Sequence, residues 1–178
     1  MCDACWRASA DGVYDGPLRN IIHAFKYDGR RSLAKPLAAL MRERYARVLA
    51  GADVVVPVPL HPSRRRSRGF NQAEDLARHL GLPVVLALKR VKATAAQAEL
   101  SATERASNVT DAFAVTQAAS GLREHVVILV DDVTTTGATL EGCANVLRDR
   151  AGCEVRTVAA AITPIVMRGQ SSAQRLQG

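Results

Sequence analysis

One stretch limits the folds open to this chain more than any other: Val126-Val127-Ile128-Leu129-Val130-Asp131-Asp132-Val133-Thr134-Thr135-Thr136-Gly137-Ala138-Thr139. Five apolar, mostly β-branched residues predict a strand buried on both faces, the habit of a parallel sheet covered by helices. Two adjacent carboxylates then stop that strand at its C-terminal end. After Gly137 the apolar positions Leu140, Cys143, Ala144, Val146 and Leu147 recur at helical spacing, so the threonine-rich turn leads into a helix N-terminus. Unpaired amides and the helix dipole favour an anion there, and glycine with short hydroxyl side chains lets a phosphate approach the backbone.

The carboxylates need a different partner, because a phosphate beside them would be repelled. Asp131 and Asp132 are suited to accept hydrogen bonds from a vicinal diol, with or without Mg2+ nearby, so a 5-phosphorylated ribose would satisfy both ends of the motif. The plainer alternative is a strand ended by Asp-Asp and a helix capped by threonine, although a cap needs one hydroxyl and this turn has several. From Asp131 to Thr139 the stretch resembles the phosphoribosyl-pyrophosphate (PRPP) motif of type I phosphoribosyltransferases. The resemblance implies that Asp131 and Asp132 hold the ribose hydroxyls, and that Thr135, Thr136, Gly137, Ala138 and Thr139 hold the 5-phosphate. No Gly-Lys-Ser/Thr follows, so it is not a nucleotide-binding Walker loop.

With 178 residues, 48% of them apolar, the chain has enough material for one α/β unit with a real core. The apolar runs near Val54, Val126 and Val158 are strand-length, and the first eleven residues lack a basic start followed by an apolar stretch. No membrane insertion and a cytoplasmic location are therefore expected. A net charge of +7 and a pI near 9.7 leave open a polyanionic partner. Four arginines cluster at positions 64, 65, 66 and 68, and aromatic residues for stacking on bases are scarce, which points to a phosphorylated small molecule more than to nucleic acid.

From its start, the chain shows Cys2 and Cys5 as a Cys-x-x-Cys pair, two ligands where a structural zinc needs four. Residues 1–12 are read as the remnant of a zinc-ribbon-like segment, 13–167 as the main domain and 168–178 as a polar, frayed tail. Two helices are predicted between Gly16 and Ala50, the second from Ser32 to about Val48, placed to cover the site as a hood. Lys26 and Tyr27 stay open between packing and function. The first core strand is Asp53 to Leu60, where Pro57 and Pro59 end the ladder. A loop from His61 to Gly69 then carries the arginines to the carboxyl edge of the sheet, where open α/β folds bind ligands, and a helix follows from Phe70 to Leu80. Guanidinium forks match pyrophosphate oxygens, making Arg64 and Arg68 the candidates for that group. A short strand is expected at Val84 to Leu88. The irregular stretch from Lys89 to Ala112 reads as a cover that brings Arg90, Lys92 and Arg105 over the site and excludes water. Phe113 to Val115 and Val155 to Ile162 complete a doubly wound, mainly parallel sheet of about five strands. Cys143 and Cys153 read as small core residues.

Beyond the PRPP motif the chain resembles the ComF family of phosphoribosyltransferase-like proteins. The resemblance lies in Tyr14, Gly16, Leu18 and Arg19, then Phe25-Lys26-Tyr27 with Gly29, Val56 to His61, Arg68 to Gln72, and Gln97, Leu100, Arg105, Asn108 and Phe113. It implies Mg2+-dependent displacement of pyrophosphate from PRPP by an unassigned base or amine, with Asp131, Asp132, Arg64, Arg68, Arg90 and Arg105 as the working residues. Pro59 and Leu60 would join the substrate contacts, and Asp131 and Asp132 would meet Mg2+ indirectly or through the ligand. The family's association with DNA uptake implies a second class of function, an accessory PRPP-binding protein meeting single-stranded DNA or the uptake machinery. A homodimer is compatible with either. Family members normally begin with a complete four-cysteine zinc module, of which only Cys2 and Cys5 stand here.

Overall fold

The computed structural model describes residues 16–91 and 112–163. Along the chain lie α1 (Gly16–Tyr27), a 3-10 turn (Arg31–Leu33), α2 (Ala34–Arg44), α3 (Ala46–Leu49), β1 (Val54–Pro57), α4 (Pro62–Arg68) and α5 (Gln72–Ala77). There follow β2 (Leu88–Arg90), β3 (Phe113–Val115), a second 3-10 turn (Gln117–Gly121), β4 (Val126–Thr134), α6 (Ala138–Ala151) and β5 (Glu154–Ile162). The zinc-ribbon remnant with Cys2 and Cys5, the segment holding Lys92 and Arg105, and the C-terminal tail lie outside the described residues.

β1, β4 and β5 form a parallel sheet in that order, with β4 in the middle. Because side chains alternate across a strand, the apolar run of β4 feeds two cores at once. Val127 and Leu129 join Val54, Val56 and Val58 against Leu140, Cys143 and Leu147 of α6. Ile128 and Val130 join Val55 against Leu37 and Met41 of α2 and Leu76 of α5. Helices on both faces make the sheet doubly wound, as expected. Phe25 of α1 is fully buried in the second core, 5.9 Å from the ring of Phe70, and the Tyr45 hydroxyl donates to the Ala159 carbonyl at 2.9 Å. The predicted hood is thereby fastened to the sheet.

Four local expectations change. The five strands do not share one sheet: β2 and β3 pair antiparallel as a separate ribbon, and the position given to a strand at Val84 holds a single parallel bridge to Val55. β4 does not stop at its carboxylates, because Asp131 pairs with Ala159, Val133 with Ala161 and Thr134 with Ile162. Long-range pairing of β5 therefore extends the strand beyond the local polar signal. The arginine run is a helix, α4, and not a loop. Pro62 occupies its first turn, His61 Nδ1 accepts the Ser63 N–H at 3.3 Å, and Gly69, at φ 76°, closes it while donating to the Arg65 carbonyl. Finally, Lys89 and Arg90 belong to β2 and not to an irregular cover.

Leu129 is fully buried at the centre of β4. Leu129→Ala should lower unfolding stability by about 2–5 kcal/mol, seen as a lower urea midpoint. A loss below about 0.5 kcal/mol, typical of surface changes, would contradict the central place given to this strand.

Candidate active site

The parallel register brings the C-terminal ends of β1 and β4 side by side, with Val58 N–H donating to the Val130 carbonyl at 2.9 Å. Beyond those ends opens a polar cavity of about 170 Å³. Asp131, Asp132 and Thr139 line it from the β4 side, Pro59 and Leu60 from the end of β1, and Arg64 and Arg68 from α4. Arg90 reaches it from β2. Every one of these was expected at the site from sequence. Thr135, Thr136, Gly137 and Ala138 form the adjoining turn and do not themselves line the cavity. Thr135 and Thr136 are exposed, Gly137 takes φ 80° at the start of α6, and the Ala138 N–H donates to Thr136 Oγ1 at 3.4 Å. That arrangement leaves the turn open to an arriving phosphate.

The acid pair is buried without being sealed. Asp132 keeps 8% of its exposure and Asp131 is half-buried, yet both face the cavity. Each carboxylate accepts the next backbone N–H: Asp131 Oδ1 from Asp132 at 2.8 Å, and Asp132 Oδ1 from Val133 at 2.6 Å. Burial, and then the neighbouring Asp132 charge, push the Asp131 carboxyl well above the usual carboxylate range, while Lys26 opposes the shift. Asp131 therefore holds its proton more readily than an ordinary carboxyl does.

Three polar cavity residues are not among those the sequence assigns to the site. Lys26 comes from α1, and its Nζ lies 3.1 Å from Asp132 Oδ2. Nothing local to Phe25-Lys26-Tyr27 says that this lysine turns inward while Tyr27 stays 62% exposed. Asn71 and Gln72, at the start of α5, complete the wall; polar residues directly after the arginine run are the available signal. Asn71 Nδ2 donates to the Val58 carbonyl at 3.0 Å and its Oδ1 accepts the Ala73 N–H, so it caps α5 and anchors the end of β1 together.

The cations are packed more closely than surface residues would choose. Burial lowers the Arg90 pKa, and the nearby Arg64 charge lowers it further. Arg90 also stacks over Phe113 at 5.2 Å, and Arg68 over Tyr27 at 5.0 Å with its Nη2 donating to the Tyr27 hydroxyl at 3.3 Å. Guanidinium groups held near one another beside a cavity form a receptor for a multiply charged anion. Arg105 lies outside the described residues.

A phosphoribosyl transferase domain model matches residues 32–172. The chain belongs to that family. Curated relatives carry the ComF resemblance further. Competence protein F of Haemophilus influenzae is 36% identical over 77% of this chain and 64% of its own. The DNA utilization protein YhgH of Escherichia coli K12 is 37% identical over 75% and 62%, and competence protein ComFC of Bacillus subtilis 30% over 78% and 56%. The chain thus spans less than two thirds of the length of these relatives. Among solved structures, an adenine phosphoribosyltransferase superposes with a TM-score of 0.45 at 16% identity, covering 79% of this chain and 82% of that one. No helix among the described residues is long and apolar enough to cross a membrane.

The raised Asp131 pKa has a defined consequence for stability. The folded state binds this proton more tightly than the unfolded chain does, so its contribution is fully present below the ordinary carboxylate pKa. It is lost as pH rises from there toward the folded value. Asp131→Asn should flatten that decline and raise the melting temperature at neutral pH by about 2–4 °C. Thermal unfolding of both proteins across pH 4 to 8 checks it, and equal pH slopes would refute it.

Proposed function

We propose that this chain is a Mg2+-dependent phosphoribosyltransferase that binds 5-phosphoribosyl 1-pyrophosphate and replaces its pyrophosphate with a nitrogen base or amine. One observation carries the reading: an acid pair, Thr139 and three arginines line one polar cavity at the carboxyl edge of the sheet, and the hydroxyl turn that starts α6 adjoins it. A diol, a phosphate and a pyrophosphate on one small molecule match those three groups in chemistry.

Asp131 and Asp132 would accept the ribose hydroxyls, and the turn from Thr135 to Thr139 would hold the 5-phosphate. Arg64, Arg68 and Arg90 would neutralise the departing pyrophosphate, with Arg105 as a further candidate. The field of the two acids favours the positive charge that develops on the ribose as the anomeric bond stretches, so positioning and electrostatics supply the catalysis and no side-chain nucleophile is needed. Among the described residues no three His, Cys, Asp or Glu side chains converge on a metal position, so these residues offer no cage for a bare ion. The two acids suit instead a Mg2+ that keeps waters and arrives on the oxygens of the diphosphate. Bound there, the ion would neutralise charge on the leaving group.

A second reading follows from the names of the relatives, which concern competence and DNA utilization: the same site would bind PRPP without turnover, in an accessory role in DNA uptake. Calorimetry with PRPP and Mg2+, paired with a pyrophosphate-release assay over a broad acceptor panel, separates the two. The transfer reading expects both binding and release. Asp132→Asn should abolish release, and Arg64→Ala and Arg68→Ala should each weaken PRPP binding about 10- to 100-fold, since one lost charge-assisted bond costs about 1.5–3 kcal/mol. Binding with no release over the whole panel would transfer support to the accessory role, and a protein that ignores PRPP would end both.

A further inference from the structure

The cavity wall formed by α1 and the start of α5 has three polar side chains, and two of them are already committed. The Asn71 amide donates to Val58 and accepts from Ala73. Gln72, only 1% exposed, donates from Nε2 to the Lys26 carbonyl at 3.5 Å and accepts Arg68 Nη1 on Oε1 at 3.3 Å. Both amides thus hold the wall in place with one donor and one acceptor each, and neither brings a charge to the cavity. Lys26 differs. Its ammonium carries three donors and meets Asp132 Oδ2, with the two side chains 17% and 12% exposed.

Ribose chemistry decides where that ammonium goes. The acids that grip the sugar hydroxyls lie beside the anomeric carbon, because the 2-hydroxyl is attached to the neighbouring carbon. When hydroxyls take the lone pairs of Asp132, they replace the ammonium there and leave it within reach of the reacting carbon. A second observation agrees. Among the described residues the carboxylates that line the cavity are Asp131 and Asp132, and on the transfer reading both would be occupied with the sugar. An acceptor that depends on a protein base to lose its proton is poorly served; one whose attacking nitrogen is already unprotonated needs none.

We propose that Lys26 reads the acceptor, and that the acceptor is a nitrogen nucleophile carrying an anionic oxygen, such as a carboxylate-bearing heterocycle. This rests on the phosphoribosyl-transfer reading above. The nitrogen lone pair forms the bond to the anomeric carbon as the carbon–oxygen bond breaks, and the bonding electrons depart on pyrophosphate. The acceptor's anionic oxygen pairs with the Lys26 ammonium.

The test uses the full chain with PRPP, Mg2+ and two probe sets, nicotinate and anthranilate against adenine and hypoxanthine, with pyrophosphate release as the readout. Release is expected with at least one carboxylate acceptor and not with the neutral purines. Lys26→Met should lower kcat/KM for that acceptor about 10- to 100-fold, the value of a hydrogen bond to a charged group, and Lys26→Arg should recover most of the loss. Circular dichroism confirms that each variant is folded. Release with neutral purines, unchanged in Lys26→Met, overturns the inference and leaves the transfer reading standing. So does a Lys26→Met protein that loses affinity for magnesium pyrophosphate while keeping the same acceptor preference, because that outcome assigns the lysine to the leaving group. PRPP binding without release for any probe overturns it as well, and failure to bind PRPP removes the transfer reading with it.

Discussion

Two carboxylates joined by one peptide bond at the mouth of a buried strand repel each other, and most of the architecture around the cavity answers that repulsion. The acids cannot move apart, since β4 is held by β1 on one side and by β5 on the other. Each is steadied by the backbone N–H that follows it, yet those bonds bring no net charge. A cation is needed, and α1 supplies it as Lys26. The hood helix is therefore held to the sheet by electrostatics as well as by Phe25 in the core. Removing one partner of such a half-buried pair leaves the other charge poorly solvated, so the contact specifies where the hood sits even if its net energy is small.

The distribution of the remaining charge follows the same logic. Glu74 and Asp75 on α5 are nearly buried and gather the outward arginines: Arg31 forks onto Asp75 with two bonds of 2.7 Å, Arg78 meets both acids, and Arg65 lies 3.6 Å from Glu74. Neighbouring arginines of the same run, Arg64 and Arg68, turn to the cavity instead. A helix makes this division possible, because a four-residue segment of α4 presents side chains around a full turn. An extended loop would have spread them along one edge. Much of the outer positive charge near α4 is thus offset locally, while Arg64 and Arg68 face the cavity. A protein built to bind nucleic acid through this helix would be expected to keep those outward arginines available.

How much of this could be read in advance depended on whether the deciding interaction was local. The strand, turn and helix from Val126 to Leu147 were legible because their apolar periods, the glycine and the hydroxyl run all lie within one segment. The double winding followed from the same run, since only a strand covered on both faces is apolar at every position. The extension of β4 through its acids was not legible, because it depends on partners in β5 that the local composition does not announce. Nor was the division of the five strands between two sheets. The helix at the arginine cluster was within reach: Pro62 just inside its start and Gly69 just past its end are ordinary boundary residues, but a segment polar all round gives no hydrophobic period to prompt the reading. Lys26 was the hardest case, one lysine on an amphipathic helix whose partner lies on a distant strand.

The burial that makes the acid pair costly to the fold is also what makes it useful. In water two carboxylates would interact weakly with a sugar hydroxyl, because solvent competes for every lone pair. At the edge of a sheet, with Asp132 almost covered and Asp131 driven toward its protonated form, those lone pairs are poorly solvated and a diol that meets them recovers part of the lost hydration. On the proposed transfer reading, the same low polarity would strengthen the attraction between the acids and a positive charge developing at an adjacent carbon. Stability would then be traded for preorganisation: Lys26 keeps the acid pair tolerable, and a ligand that took over its hydrogen bonds would meet a site already in shape.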